Sequence, residues 1–258
     1  ITGLPTVGVI AEFLREGSAI EDSFRPFRIV IGAKSKKAAD LLLKLHQSLK
    51  APRVITNIKS AQLIKYAANA FLATKISFIN LMARLCDETG ADIKKVAQGL
   101  GLDPRIGEKF LQAGLGYGGS CFPKDTWALI SFSKKKRVDF DFLSAVDKIN
   151  RTQVDYFIRK VIRLVGDLKG KTIAILGLAF KSDTDDMRES RSVLVIKKLQ
   201  AMGAKVKAYD PVAIENAKKI LKGVIYGRDA YDVLKGADLM CLLTDWPEFQ
   251  NLDFKKVK

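Results

Sequence analysis

Between Ser60 and Gly90 apolar residues recur at positions 63, 64, 67, 68, 71, 72, 76, 79, 82 and 85, the alternating three-and-four spacing of one helical face. Ser60 is the predicted N-cap of this helix and Gly90 its C-cap. At 1.5 Å per residue it would be about 45 Å long, more than a small domain can cover, which predicts a central connecting or dimer-forming element. Ahead of it, short strands are expected over Thr6–Ile10 and Arg28–Gly32, followed by a helix from about Lys36 to Leu49. Behind it come a helix over about Asp92–Gly99, one after Pro123 carried by Trp127, Leu129, Ile130 and Phe132, and a long one from about Phe142 to Val165, stopped by Gly166. The pattern then changes. Thr172–Gly177 is a continuous apolar run of the kind a buried parallel strand needs. A helix over about 190–202, a strand at 205–209, a helix over 213–222 and strands near 224–226 and 238–243 follow, and this alternation predicts a doubly wound α/β sheet.

Composition narrows the partners. With 258 residues, 48% of them hydrophobic, the chain can bury one large or two ordinary cores. No apolar run reaches the roughly 18 residues of a membrane span and no signal peptide opens the chain, so a cytoplasmic protein without a membrane partner is expected. Forty-four Lys and Arg against 28 Asp and Glu leave +16, which calls for anionic ligands. The basic residues are spread out, and the one run, Lys134–Arg137, sits at an expected helix end that favours cations, so no nucleic-acid partner is expected. Cys86, Cys121 and Cys241 are too widely spaced for a disulfide framework or a zinc site. The single histidine, His46, reads as an ordinary helix residue, and Asp183, Asp185 and Asp186 read as helix-start caps rather than metal ligands.

Chemistry concentrates between Gly114 and Asp125, where glycines 114, 116, 118 and 119 precede Ser120-Cys121-Phe122-Pro123-Lys124-Asp125. Glycines at this density let backbone bend and approach a ligand closely. Pro123 fits the first turn of a helix, which puts Cys121 at the helix N-terminus, where the partial positive charge and Lys124 favour the thiolate. On the long helix, Lys65 and Asn69 are polar exceptions four residues apart and so share a face; spacing alone leaves open whether they form a solvated stripe or a site.

The run Phe110–Asp125 resembles the active-site loop of the UDP-glucose/GDP-mannose dehydrogenase family, and Ile64–Leu72 resembles that family's lysine-and-asparagine helix. The resemblance implies oxidation of a nucleotide-sugar alcohol to an acid by two hydride transfers to NAD, through a cysteine thiohemiacetal and thioester. By this resemblance Cys121 is the nucleophile, Lys65 and Asn69 stabilise the oxyanion, and Asp125 orients or activates water together with Glu12. Substrate contacts fall to Glu12, Phe13, Leu14, Arg15 and Glu16, although Ile10-Ala11 stands where the family usually has Asn-Pro. Further contacts fall to Phe110, Leu111, Gln112, Ala113, Gly114, Gly118, Phe122 and Lys181. Arg105 would act across a dimer, and Lys124 and Arg188 would face NAD.

The same resemblance implies three parts: a remnant of an NAD-binding Rossmann domain over 1–52, a central helical dimerisation and catalytic domain over 53–166, and a UDP-binding Rossmann-like domain over 167–258. Expected partners are a UDP-sugar, a second copy docked through the 60–90 helix, and a separate N-terminal NAD-binding domain. The chain begins with Ile and holds no G-x-G-x-x-G fingerprint, so a fragment or split form is expected, inactive by itself. Two other readings stand beside this one. They are a non-catalytic nucleotide-sugar-binding or dimerisation scaffold, and a related dehydrogenase acting on GDP-mannose or UDP-N-acetylmannosamine.

Overall fold

The computed structural model describes residues 7–256, so the expected strand's first residue, Thr6, lies outside the described residues. In chain order the elements are β1 (Gly8–Ala11), α1 (Ala19–Phe24), β2 (Ile29–Ala33), α2 (Lys36–Leu45), β3 (Arg53–Thr56) and α3 (Ile58–Thr89). They continue with α4 (Ile93–Gly101), α5 (Phe122–Lys135), α6 (Asp141–Val165), β4 (Thr172–Leu176), α7 (Arg191–Ala201) and β5 (Lys205–Tyr209). The last are α8 (Ile214–Ile220), β6 (Val224–Tyr226), α9 (Ala230–Leu234), β7 (Leu239–Leu242) and α10 (Pro247–Gln250). The protein is α/β, with parallel strand pairing and a long helix, and it divides into compact units over residues 1–71 and 72–258.

The first unit is built on a three-stranded sheet of order β1-β2-β3, in which β1 runs antiparallel and β3 parallel to β2. Ile29, Val30 and Ile31 of the central strand are buried. A Cβ on Gly32 would lie 2.6 Å from Ala61 Cβ, so glycine lets the start of α3 lie directly on the strand. The helix α2 stops at Leu45 rather than Leu49: the Arg53 guanidinium donates to the carbonyls of His46, Gln47 and Leu49 and satisfies acceptors that further helical turns would have used. His46 is therefore the C-cap residue, its Nδ1 3.0 Å from the Leu42 carbonyl oxygen. The strand β3 escaped the sequence reading because Arg53, Val54 and Ile55 are all exposed and show no alternation.

The helix α3 begins at Ile58, two residues before the expected cap. Asn57 does the capping, its Oδ1 accepting the Ser60 amide at 2.8 Å. At the other end Gly90, with φ +76°, allows Ala91 N–H to bond the Cys86 carbonyl at 3.1 Å, a glycine-closed C-terminus. In the second unit Ser77 Oγ donates to the Val146 carbonyl, and Arg84 donates to Gln153 Oε1 from both Nε and a terminal nitrogen, at 2.9 and 2.7 Å, tying α3 to α6.

The second sheet has order β6-β5-β4-β7, with every pair parallel, the order of half a Rossmann fold. Both faces are covered, which is what a continuous apolar strand requires. Ile173 and Ile175 of β4 join a core with Val154, Ile158, Val195, Ile196 and Leu199 of α6 and α7. Ala174 and Leu176 point to the opposite layer of Val233, Leu234, Trp246 and Phe249.

Candidate active site

The glycine loop between α4 and α5 is held by side chains of α3 and α6. Asn80 Oδ1 accepts the Gly114 amide at 2.7 Å, and Gln153 Nε2 donates to the Gly114 carbonyl at 2.9 Å. Asn150 brackets Tyr117: its Oδ1 accepts the Tyr117 amide at 2.7 Å and its Nδ2 donates to the Tyr117 carbonyl at 3.1 Å. Gly116 adopts φ +99°, and a Cβ there would lie 2.2 Å from Asn150 Oδ1, so the bracket requires glycine. Gly119 is as constrained, with φ +75° and a Cβ position 2.7 Å from the Phe180 ring.

This loop delivers Cys121 to the N-cap of α5, exposed and with Sγ 3.7 Å from Ser120 Oγ. Cys86 and Cys241 are buried, and burial pushes the Cys241 thiol up to about 12. Asp125, one turn further, has a buried carboxylate, its amide donates to the Cys121 carbonyl at 2.9 Å, and it is ion-paired with Lys124. Phe122 packs against Phe110 and edge-on against Tyr117, both at 6.1 Å between ring centroids. Phe110 (φ +66°) is 37% exposed, Gln112, Ala113 and Gly114 face outward, Gly118 is half-buried, and Leu111 is buried and points inward.

The turn after β4 meets the same loop. Gly119 N–H donates to the Arg188 carbonyl at 3.0 Å, and a Cβ on Gly118 would meet the Glu189 carbonyl oxygen at 2.3 Å. Lys181 is half-buried, its Nζ 6.0 Å from the centre of the Phe180 ring that packs on Gly119. The Arg188 guanidinium is clamped on the Asp186 carboxylate, which also accepts the Arg188 amide at 2.8 Å. The expected helix-start role of the aspartates does not hold. The helix α7 begins at Arg191 behind Ser190, Asp186 holds Arg188, and Asp185 accepts a hydrogen bond from Asn216. No group of metal-ligating side chains occurs among the described residues.

Asp210, 1% exposed, closes this end of the sheet. Its carboxylate accepts the amides of Leu178, Ala179, Val212 and Ala213 and the Trp246 indole N–H, at 2.7 to 3.2 Å. In a dinucleotide-binding turn the amides following the first strand face a pyrophosphate. Here an internal carboxylate takes them and Gly177, φ +93°, packs against Thr244, so this turn does not fit NAD.

In the first unit, the segment after β1 lines a cavity of about 220 Å³ with Glu12, Phe13, Leu14, Phe27 and Arg28. The Arg28 guanidinium stacks 3.8 Å from the Phe13 ring centre, and Lys65 Nζ lies 3.5 Å from Glu12 Oε2 and 5.6 Å from the same ring. Glu12 also accepts the Leu14 amide, and Glu16 is half-buried. Arg15 is fixed by Asp22, which accepts its guanidinium at 2.6 Å and its amide at 2.8 Å. That hydrogen bonding, against the opposing effect of burial, holds the Asp22 carboxyl down at about 2. Asn69 is buried one turn after Lys65.

Arg105 is exposed, and its guanidinium folds onto Asp103 at 2.6 Å. Lys75 Nζ holds the loop that carries it, donating to the carbonyls of Ile106 and Gly107 at 3.0 and 3.1 Å. The sequence reading missed the loop's anchors, Asn80, Asn150, Gln153 and Arg191. A usable signal was present: Asp147, Asn150 and Gln153 interrupt the buried face of α6 at three-residue intervals.

The second sheet is of the doubly wound α/β class, and the turn after its first strand is packed against a glycine loop that ends in an exposed cysteine. The chain belongs to the UDP-glucose/GDP-mannose dehydrogenase family: the model of its central domain matches residues 59–152 and that of its UDP binding domain residues 174–258. UDP-glucose 6-dehydrogenase TuaD of Bacillus subtilis is 51% identical over 248 residues, 96% of this chain and 54% of that protein. UDP-glucose 6-dehydrogenase of Rhizobium meliloti is 46% identical over 253 residues, 96% of this chain and 58% of its own length. The chain thus spans little more than half of these relatives. Among solved structures, a UDP-glucose dehydrogenase of Pyrobaculum islandicum superposes with a TM-score of 0.93 at 42% identity, covering 96% of this chain and 57% of the other. A UDP-D-ManNAc dehydrogenase of Pyrococcus horikoshii gives 0.85 at 26%, covering 97% and 57%.

Proposed function

We propose that this chain supplies the sugar-binding and thiol chemistry of an enzyme that oxidises UDP-glucose to UDP-glucuronate. The observation that carries this reading is Cys121, exposed at a helix N-cap on a loop whose backbone is fixed by Asn150 and Asn80, while the other cysteines are buried. NAD, when bound, takes up the two hydrides, and the turn after β4, its amides held by Asp210, offers it no pyrophosphate cradle. UDP-glucose is favoured as substrate because TuaD and the Pyrobaculum enzyme carry that name at 51% and 42% identity.

Cys121 Sγ adds to the C6 aldehyde left by the first oxidation and gives up its proton as the thiohemiacetal forms. Removal of the second hydride leaves a thioester, and water adds to its carbonyl, expelling the thiolate and leaving the carboxylic acid. Asp125 and Glu12 orient that water, and the Lys65 ammonium and Asn69 amide are donors suited to the developing oxyanion. Lys181 binds the nucleotide side of the substrate, and Phe110, Gln112, Ala113, Gly114, Gly118 and Phe122 enclose the sugar.

A homodimer completes the proposal. Phe71, Phe78 and Leu85, seven residues apart on α3, are 67, 47 and 56% exposed, an unpaired apolar stripe that a second copy would cover.

The test is NADH formation, followed by absorbance with UDP-glucose in excess. The 258 residues alone should give none, because a cofactor free in solution lacks an orientation worth roughly 7–11 kcal/mol of barrier. Adding an N-terminal Rossmann domain, fused or separate, should produce NADH, and Cys121→Ala in that complex should abolish it. Undiminished turnover by the Ala variant would reject the assignment.

A further inference from the structure

Arg191 breaks two local rules at once. It is the first residue of α7, where the helix dipole disfavours a cation, and it is 91% buried, at 9% exposure. Among the described residues no carboxylate reaches ion-pairing distance of it; burial, the largest effect, lowers its proton affinity, while the carboxylates of Glu189 and Asp147 favour its charge from farther away. Its Nε donates 2.8 Å to the carbonyl oxygen of Tyr117, the acceptor also bonded by Asn150 Nδ2 at 3.1 Å. A residue placed against local preference, with its one direct hydrogen bond made to a loop carbonyl, points to the purpose of that contact.

The contact lies in the glycine loop. Tyr117 precedes Gly118 and Gly119, whose Cα positions are pressed against the Glu189 carbonyl and the Phe180 ring, and Gly119 N–H bonds the Arg188 carbonyl at 3.0 Å. The 188–191 segment thus runs beside 117–119, and Arg191 is its one charged anchor on the loop. Two residues after Gly119 the chain reaches Cys121 at the N-cap of α5. A loop free to rotate about 116–119 would lift Cys121 off the start of α5.

We propose that Arg191 is a positioning residue for Cys121: by holding the Tyr117 carbonyl from the nucleotide-domain side, it fixes the thiol at the start of α5. The inference deepens the reading of Cys121 as nucleophile and rests on it. Its test needs neither substrate nor cofactor, so the two can fail separately.

The experiment is alkylation of the full 258-residue chain by iodoacetamide, with rates for each cysteine from peptide mapping and thermal unfolding midpoints measured in parallel. In the unsubstituted chain Cys121 should react at least tenfold faster than Cys86 or Cys241. Comparable rates at the three would overturn the nucleophile reading itself. Arg191→Met should slow Cys121 at least fivefold, with Cys86 and Cys241 unchanged. Arg191→Lys, which can still donate to the Tyr117 carbonyl, should restore most of the rate. If Arg191→Met does not fold, Arg191→Gln and Arg191→Lys carry the comparison, with Gln expected to be the slower. An unchanged Cys121 rate in the Met variant, or in Gln if Met is lost, overturns the proposal. So does a rate equally reduced in Lys and Met, or acceleration of the buried cysteines alongside a fall in midpoint, which would mark general loosening.

Discussion

The carboxylate of Asp210 accepts the Leu178 amide at 2.7 Å, joining the end of β5 to the turn that follows β4. The same carboxylate serves Ala179, Val212, Ala213 and the Trp246 indole. Replacing it by Ala leaves these buried donors without an acceptor. With unmet buried donors costing about 1–3 kcal/mol each and part of the gap open to relaxation, Asp210→Ala should destabilise the protein by about 3 kcal/mol or more. For a chain of this size that is roughly a 6–12 °C fall in unfolding midpoint. A shift under about 2 °C in a thermal melt would show that the hub is dispensable.

Asp22 gives a pH signature. Its folded-state value of about 2 lies below the ordinary 3.8, the hydrogen bond from Arg15 being the largest cause. The unfolded chain therefore binds more protons than the folded one between these values. The stabilisation is complete above about pH 4 and is lost as pH falls through about 2. Asp22→Asn should lower the unfolding midpoint at pH 6, and the gap from the unsubstituted chain should close on acidification toward pH 2. A gap that stays constant with pH would show that the Arg15 contact does not depend on the charge.

Lys181 is half-buried, its Nζ 6.0 Å from the centre of the Phe180 ring that packs on Gly119. If it meets a phosphate or sugar oxygen, Lys181→Ala removes a charged hydrogen bond worth on the order of 1.5–3 kcal/mol, about a tenfold to hundredfold rise in Kd. Calorimetry with UDP-glucose and other nucleotide sugars measures this and ranks the substrates. An unchanged Kd would move the nucleotide elsewhere.

The apolar stripe of α3 predicts association. Phe78→Glu would place a charge in a desolvated interface and should convert a dimer to a monomer in light scattering at micromolar concentration, with helicity by circular dichroism retained. A monomeric parent protein, or a dimeric variant, would exclude this face.

Much of the fold was legible because it rests on local periodicity. The 3.6-residue pattern through Leu63, Ile64, Ala67 and Ala68 and the glycine stop at Gly90 marked α3 to within three residues at its start, because caps and periodicity act over one or two turns. The apolar run Thr172–Leu176 announced a strand covered on both faces for the same kind of reason. Cys121 at the N-cap of α5 was fixed by its neighbours Pro123 and the glycines. The short β3, α1, α9 and α10 were invisible, since four to six residues carry too little pattern to separate an element from a loop.

Only the tertiary structure decided the long-range partners of the charged groups. Lys124 pairs with its neighbour Asp125 and Arg188 with Asp186 two positions back, but the buried charges Asp210 and Arg191 find their partners far along the chain. Asp210 looked like an ordinary strand end, and Arg191 like one more cation among forty-four basic residues. Asp210 meets Leu178 across 32 positions and Arg191 meets Tyr117 across 74. A hydrogen bond of under 3 Å between residues so far apart in the chain is set by how strands and helices stack, which no local pattern records.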